Sequence, residues 1–131
     1  MTHPNIEFIQ QGYEAFGNGD LDTIRQVFDA DIEFNILGRN DLARTYRGVD
    51  DVFGFFGELI QRTDGTFKLE PHAWLADEDG HVVVLLHVTA QAGERSVDQN
   101  TVHVWHVRDG RAVAFWDHWA DQYAADEALG R

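Results

Sequence analysis

The second half of the chain carries four long segments in which apolar and polar residues alternate, with turn sequences between them. Alternation with a period of two is the pattern of a β-strand that is buried on one face. The predicted strands are residues 67–76, 81–91, 97–107 and 111–119. The short connections are rich in Asp and Gly and let neighbouring strands reverse direction, so this half predicts an antiparallel meander.

The first half of the chain instead repeats its apolar residues every three or four positions, which predicts helices. A first helix is predicted to open near Pro4 and to stop at the glycine-rich break at 17–19. Asp20 is a suitable N-cap for a second helix, and a third is predicted to start at residue 50 or 51. Between these two helices, alternation over 32–36 predicts one half-buried strand.

Helices followed by a long meander are typical of an α+β fold. We expect one domain over residues 1–131, with three N-terminal helices packed on one face of a strongly curved antiparallel sheet. A sheet bent around three helices cannot fill its own concave side, so an interior pocket is expected. The outer face, if it is apolar, would need to be covered by something outside the chain, which favours a homodimer through that face.

Charge and composition exclude several classes of function. With 23 acidic and 10 basic residues the net charge is −13, so nucleic acid and anionic membrane surfaces are expected to repel the chain. The chain has no cysteine, which excludes disulfides and thiolate metal sites. The longest apolar run has five residues and no signal peptide is visible, so we expect a cytoplasmic protein without a membrane span.

Seven histidines raise the question of a metal site. Two ligands on one strand should lie two residues apart, because alternate side chains share a face. His103 and His106 are three apart on a predicted strand and therefore face opposite sides, whereas His81 and His87 are six apart. Neither a metal nor a cofactor is therefore expected.

Four segments carry a family resemblance, in order along the chain: residues 13–22, 28–34, 46–52 and 103–111. Together with Trp116-Asp117 near the end, they resemble the SnoaL-like branch of the NTF2-like superfamily. The resemblance implies a cone-shaped α+β barrel with an interior pocket, usually dimeric through the outer sheet face. It leaves the function open, because this fold hosts isomerases, cyclases, hydrolases, dehydratases and binding proteins.

The resemblance also implies a catalytic pair. In the SnoaL-like polyketide cyclases, an Asp on the last strand and a His on the preceding strand do acid/base work on an aldol closure, and Asp117 and His103 match those positions. A carboxyl group among aromatic side chains would feel burial, which raises its pKa, and a nearby imidazolium, which lowers it. Such a pair can remove a proton from a carbon acid and return one elsewhere. The alternative is a charged pair that bridges two strands on a wet or dimer-facing surface.

Whether these two side chains share the pocket face depends on the hairpin between them. If residues 108–110 form a three-residue loop with Gly110 left-handed, odd-numbered residues share one face, and His103 and Asp117 are diagonal neighbours. A two-residue turn would place them on opposite faces. The predicted site therefore requires the three-residue loop.

Two departures argue against the steroid-isomerase variant of the superfamily. Asn35 stands where those enzymes carry the proton-shuttling Asp, and Gly12 falls where their oxyanion-donating Tyr would stand, with Tyr13 one position on. Asn35 and Tyr13 remain candidates for hydrogen bonds to a ligand, although Asn35 could equally be an ordinary polar position. The epoxide-hydrolase variant is disfavoured, because Thr101 and His103 occupy the mid-strand positions where an Arg and an Asp would be needed.

The aromatic residues predict the wall of the pocket. Those expected to line it are Phe56, Trp105, Phe115 and Trp119. Aromatic walls suit apolar or flat ligands, so a small hydrophobic ligand is expected. We expect an enzyme that performs acid/base chemistry on a hydrophobic or polyketide-like carbonyl compound, with Asp117 transferring the proton and His103 as its partner. The alternative is a non-catalytic, dimeric ligand-binding protein of the same fold.

Overall fold

The helices and strands follow the predicted order in the computed structural model, which describes residues 3–130. The helices are α1 (Pro4–Gly17), α2 (Leu21–Val27), α3 (Val49–Arg62) and α4 (Gln122–Leu129). The strands are β1 (Phe28–Asn35), β2 (Thr45–Arg47), β3 (Lys68–Ala76), β4 (His81–Ala92), β5 (Arg95–Arg108) and β6 (Arg111–Trp119). The mixed α+β fold expected from the sequence is confirmed.

The six strands form one curved sheet in the order β2-β1-β6-β5-β4-β3. Strands β3 to β6 form the predicted antiparallel meander. Strand β1 runs parallel to β6, with Phe34 opposite Phe115, and β2 pairs antiparallel with β1. The expectation of a purely antiparallel sheet is therefore corrected at the β1–β6 pairing. A parallel neighbour is possible there because most of the chain, rather than a hairpin, connects the two strands.

Local chemistry explains where the first three helices begin. Pro4 occupies the first turn of α1, where its missing N–H costs nothing. The side chain of Asp20 accepts a hydrogen bond of 3.1 Å from the backbone N–H of Thr23 and so caps α2, as predicted. Helix α3 begins at Val49, slightly earlier than predicted, directly after Gly48 with its positive φ of 86°.

The structure contains two short elements that the sequence pattern does not predict, β2 and α4. Strand β2 has three residues, which is too few to show an alternation. Helix α4 follows Asp121, whose side chain accepts a hydrogen bond of 3.1 Å from the N–H of Ala124, and it buries Ala125, Ala128 and Leu129. A buried face made mostly of alanine gives a weak hydrophobic signal. The predicted set of three helices is therefore extended by a fourth.

The hydrophobic core lies between the helices and the concave face of the sheet. Alternate residues of β4, namely Val82, Val84, Leu86 and Val88, have no exposed surface. They belong to one cluster with Ile9 of α1. Burial of each such side chain contributes about 1.5–3 kcal/mol, which makes the alternation on β4 a main source of stability.

The turn between β5 and β6 differs from the predicted one. Arg108 pairs with Arg111, so only Asp109 and Gly110 lie in the loop. Both have positive φ angles, of 53° and 74°, which is the backbone of a type I′ hairpin turn. Gly110 is left-handed as expected, but the prediction of a three-residue loop is wrong.

A β-bulge in β6 compensates for the shorter turn. The pairing of β5 with β6 shifts by one residue near the turn, and Val113 is the extra residue on β6. Beyond the bulge, His103 lies directly opposite Asp117. The two side chains therefore share one face of the hairpin, as cross-strand neighbours rather than diagonal ones.

Gly80, in the turn between β3 and β4, contacts the bulged part of the hairpin. Its φ is 92°, and a Cβ there would lie 2.3 Å from the carbonyl oxygen of Val107. We expect Gly80→Ala to lower the free energy of unfolding by at least about 2 kcal/mol, because backbone strain and the close contact add. Urea unfolding followed by tryptophan fluorescence measures the change.

The matched control for Gly80→Ala is Gly57→Ala. Gly57 lies on the exposed side of α3, where an added Cβ meets nothing within 4 Å. This variant should raise the free energy of unfolding by about 0.5–1 kcal/mol, since alanine restricts the unfolded chain more than glycine does. An unchanged urea midpoint for Gly80→Ala would contradict the role given to the turn.

Candidate active site

A cavity of about 100 Å³ lies between the helices and the concave face of the sheet. Its wall is mostly aliphatic and aromatic and takes residues from every helix. The predicted site residues that line it are Tyr13, Phe56, His103, Trp105, Phe115, Asp117 and Trp119.

Asn35 is the predicted site residue that the structure places elsewhere. It is not among the described residues that line the cavity. Its Nδ2 donates to the carbonyl oxygen of Phe115 at 3.1 Å, and its Oδ1 accepts from the hydroxyl of Thr45 at 2.7 Å. Both ends of the amide thus hold β1 to its two neighbouring strands. The expectation that Asn35 donates a hydrogen bond to a ligand is corrected accordingly.

His103 and Asp117 both point from the sheet into the cavity and are almost completely buried, with 8% and 5% of their surfaces exposed. They face each other across β5 and β6. In the described part of the chain, however, each side chain forms its hydrogen bonds with other groups. The cavity therefore presents a carboxyl group and an imidazole that are adjacent but separately held.

The carboxyl group of Asp117 is fixed by two N–H donors. Its Oδ1 accepts from the backbone N–H of Leu37 at 2.8 Å, and its Oδ2 accepts from Nε1 of Trp119 at 3.1 Å. Burial raises the pKa of Asp117, and these two hydrogen bonds offset part of that rise because they favour the charged form. The result is a rigidly oriented acid whose proton is lost closer to neutral pH than that of an exposed Asp.

His103 lies in a different environment. Burial lowers the pKa of His103 to about 3, and the electrostatic interaction with His118 acts in the same direction. The imidazole is therefore neutral at pH 7. The expectation of an imidazolium that lowers the pKa of Asp117 is corrected, because the same burial that raises the carboxyl pKa keeps the imidazole uncharged.

Tyr13 connects α1 to this part of the sheet. Its hydroxyl lies 2.5 Å from Nδ1 of His103 and 3.0 Å from Nε1 of Trp105. Burial raises the pKa of Tyr13, so the phenol stays protonated. Tyr13 lines the cavity, and its hydroxyl contacts the two rings of β5.

Aromatic contacts shape the remaining wall around the two polar groups. The rings of Phe34 and Phe115 are stacked, with centroids 4.0 Å apart and an angle of 10°. Phe115 also meets His103 edge-on at 4.8 Å and Trp105 at 4.5 Å. A surface of packed rings leaves flat apolar spaces, which suit a flat apolar ligand.

The segment between β1 and β2 supplies site groups that sequence reasoning missed. Besides the Leu37 N–H on Asp117, it contributes Asn40 and Leu42 to the cavity wall. Asn40 donates to Asp126 of α4 at 2.7 Å, and Gln122 donates to the carbonyl oxygen of Leu37 at 3.3 Å. A backbone N–H has no signature in a sequence, and α4 itself was not predicted.

Residues 3–130 contain no group of three or more His, Asp or Glu side chains placed to hold a metal ion. The same residues form no helix that is both long and apolar enough to span a membrane.

The low pKa of His103 predicts a specific pH dependence of stability. An unfolded His takes up a proton near pH 6.5, whereas the folded His103 does so only near pH 3, so the wild type loses stability as the pH falls below 6.5. His103→Gln removes this loss. Between pH 7.5 and pH 5, the free energy of unfolding of the wild type should fall by about 2 kcal/mol more than that of His103→Gln. Urea unfolding at both pH values measures the shift, and parallel curves would contradict it.

Comparisons with known proteins extend the resemblance seen in the sequence. The uncharacterised protein Rv0034 of Mycobacterium tuberculosis is 28% identical over 122 residues, which are 93% of each chain. The structure of Bal32a from a soil-derived mobile gene cassette is similar with a TM-score of 0.92 and 32% identity, over 95% of both chains. The structure of TerC co-crystallised with polyporic acid gives a TM-score of 0.85 and 25% identity, over 97% of this chain and 98% of TerC.

The family assignment depends on a match to most of the chain. A family model described as a SnoaL-like domain matches residues 9–115, from α1 into β6. This range contains Tyr13, His103 and most of the cavity wall, and the fold around it is that of NTF2-like proteins. The chain therefore belongs to the SnoaL-like family of the NTF2-like superfamily.

Proposed function

We propose that the protein is an enzyme that performs acid/base chemistry, without a cofactor, on a small hydrophobic or polyketide-like carbonyl compound held in the cavity. The observation that carries the proposal is the buried carboxyl group of Asp117, oriented by two N–H donors and facing an aromatic cavity. A buried carboxyl group whose pKa is raised is suited to accept a proton near neutral pH.

In this proposal Asp117 is the proton-transferring group. Its carboxylate removes a proton from the carbon next to a substrate carbonyl, so that a C–H bond breaks, an O–H bond forms on Asp117 and the electron pair moves to the carbonyl oxygen. The enolate carbon then forms a C–C bond to a second carbonyl carbon of the substrate, the π pair of that carbonyl moves to its oxygen, and Asp117 returns the proton to this oxygen. The hydrogen bonds from Leu37 and Trp119 hold the carboxylate in one orientation throughout.

His103 is the partner of Asp117 at the same end of the cavity. Because its imidazole is neutral, it acts on the substrate oxygen through a hydrogen bond rather than through a positive charge. Phe56, Phe115 and Trp105 supply the apolar wall for the substrate carbon skeleton. The co-crystal of the similar protein TerC with polyporic acid supports a small organic ligand for this fold.

The second candidate is a binding protein that sequesters a small hydrophobic molecule without changing it. The observation that favours it is the cavity wall, which is apolar almost everywhere outside the end formed by His103 and Asp117. The two candidates differ in one respect: only the enzyme needs an ionisable group at Asp117.

We further propose that the protein is a homodimer through the outer sheet face, defined here by the side chains of Val83, Leu85, Val102, Val104 and Trp116. These residues alternate with the buried ones and stay partly exposed in the isolated chain. An apolar face on the centre of a sheet is typical of a surface that associates.

Asp117→Asn tests the enzymatic role. With a panel of aromatic and polyketide-like ketones, we expect kcat to fall by on the order of 10²- to 10⁴-fold, because the amide cannot accept the proton. The Kd of the same ketones should change little. In the wild type, kcat/KM should rise with pH through the raised pKa of Asp117, so its acidic limb should lie above the usual range of an Asp.

The matched control is Asp64→Asn, which makes the same chemical change in an exposed turn with a positive φ of 50° that Asn tolerates. It should leave kcat unchanged. Turnover that survives Asp117→Asn would contradict the enzymatic proposal, and ligand binding without turnover of any ketone would favour the binding protein.

Val104→Arg tests the dimer. Val104 lies between Val83 and Trp116 at the centre of the outer sheet face, so a charge there should convert a dimer into a monomer in sedimentation velocity. Tyr123→Arg, at a position of α4 that is 86% exposed, is the control and should leave the mass unchanged. A wild type that sediments as a monomer at every concentration would refute the proposal.

A further inference from the structure

The hydroxyl of Tyr13 lies between two ring nitrogens of β5, and the chemistry of one of them fixes the direction of a hydrogen bond. The indole Nε1 of Trp105 carries a hydrogen and has no lone pair to accept with, so it donates to the Tyr13 oxygen at 3.0 Å. The phenol therefore uses its oxygen as an acceptor on the Trp105 side.

The hydrogen of the Tyr13 hydroxyl then needs an acceptor of its own. Within residues 3–130, the hydrogen-bond partners of this hydroxyl are Trp105 and Nδ1 of His103, which lies 2.5 Å away. Since Trp105 cannot accept, the phenol donates to Nδ1, and Nδ1 must carry a lone pair. His103 is neutral and holds one ring proton, so that proton is on Nε2.

In this tautomer, the position of Nε2 decides what the N–H group of His103 can contact. No side-chain nitrogen or oxygen in the described residues is both fully buried and unpaired. Nε2 has no partner among those residues, and His103 lines the cavity, so the Nε2–H borders the open space. An N–H donor there meets whatever oxygen a ligand brings into the cavity.

We propose that Tyr13 is a positioning residue that holds His103 in its Nε2–H form, so that His103 is a hydrogen-bond donor to a ligand oxygen and Asp117 alone accepts the proton. The catalytic consequence rests on the proposed function, but the tautomer does not.

This division of roles narrows the ligand class. The ligand must present an acceptor oxygen, such as a carbonyl, to His103 while an acidic C–H lies against Asp117 on the neighbouring strand. As the proton leaves, negative charge collects on that oxygen, and a fixed N–H donor stabilises it without rearrangement. A hydrocarbon without an acceptor oxygen would leave the Nε2–H unpaired and should bind more weakly.

The experiment is ¹⁵N NMR of the histidine rings in the ligand-free protein at pH 7, with the signals of His103 identified by their loss in His103→Gln. Ring nitrogens with and without hydrogen have well-separated shifts. We expect His103 to show a protonated Nε2 and a bare Nδ1. In Tyr13→Phe, the ratio of the Nε2–H to the Nδ1–H form should fall by on the order of 10-fold, the effect of one lost hydrogen bond.

Tyr46→Phe is the matched control. It removes another buried phenol, one that donates to the carbonyl oxygen of Leu42 at 2.7 Å and does not contact His103. The His103 signals should be the same as in the wild type. With a substrate that turns over, Tyr13→Phe should lower kcat by on the order of 10-fold with little change in KM, whereas Tyr46→Phe should leave kcat unchanged.

A wild-type His103 that carries its proton on Nδ1, or on both nitrogens, overturns the proposal without any variant. An unchanged tautomer ratio in Tyr13→Phe overturns the role of Tyr13. Turnover that survives Asp117→Asn refutes the proposed function alone, because the NMR result is obtained without substrate.

Discussion

The arrangement of the site depends on one extra residue in β6. The type I′ turn at Asp109-Gly110 would by itself set a register in which His103 and Asp117 lie on opposite faces of the hairpin. The bulge at Val113 shifts the pairing once more and returns both side chains to the concave face. Bulges bend strands as well as shifting them, so the same residue contributes to the curvature that makes a cavity.

Burial then shifts the pKa values of the two facing groups, Asp117 and His103. A carboxyl group and an imidazole in the same apolar wall respond to desolvation in opposite directions, because one is charged when it has lost a proton and the other when it has gained one. Asp117 becomes harder to ionise and His103 harder to protonate. The hydrogen bonds from Leu37, Trp119 and Tyr13 then fix the orientation of two groups that do not bond to each other.

Much of the architecture was predictable because long segments of the sequence repeat their apolar residues with a regular period. Four strands of nine or more residues, β3 to β6, repeat the two-residue pattern often enough to be recognised, and the Asp20 cap marks α2. The pairing of His103 with Asp117 was found for a reason that was partly wrong, because a bulge leaves no clear mark in a sequence.

Asn35 was kept as a candidate site residue although the alternation along β1 favours its other interpretation, an ordinary polar position. Ile32 and Phe34 are buried on β1, so their alternation already places Asn35 on the other face of the strand. That signal was available in the sequence. By contrast, the N–H of Leu37 and the helix α4 could not be found, since the first is backbone and the second has an alanine-rich buried face.

The parallel pairing of β1 with β6 has a consequence for how the protein acquires its site. Leu37 and Asp117 are 80 residues apart in the chain, as are Asn35 and Phe115. Bringing together segments so distant in sequence costs chain entropy before their contacts can stabilise the fold, and this slows folding. A nascent chain cannot make them until the last strand has left the ribosome. The cavity is therefore completed late, after helices α1 to α3 and strands β3 to β5 have had time to form.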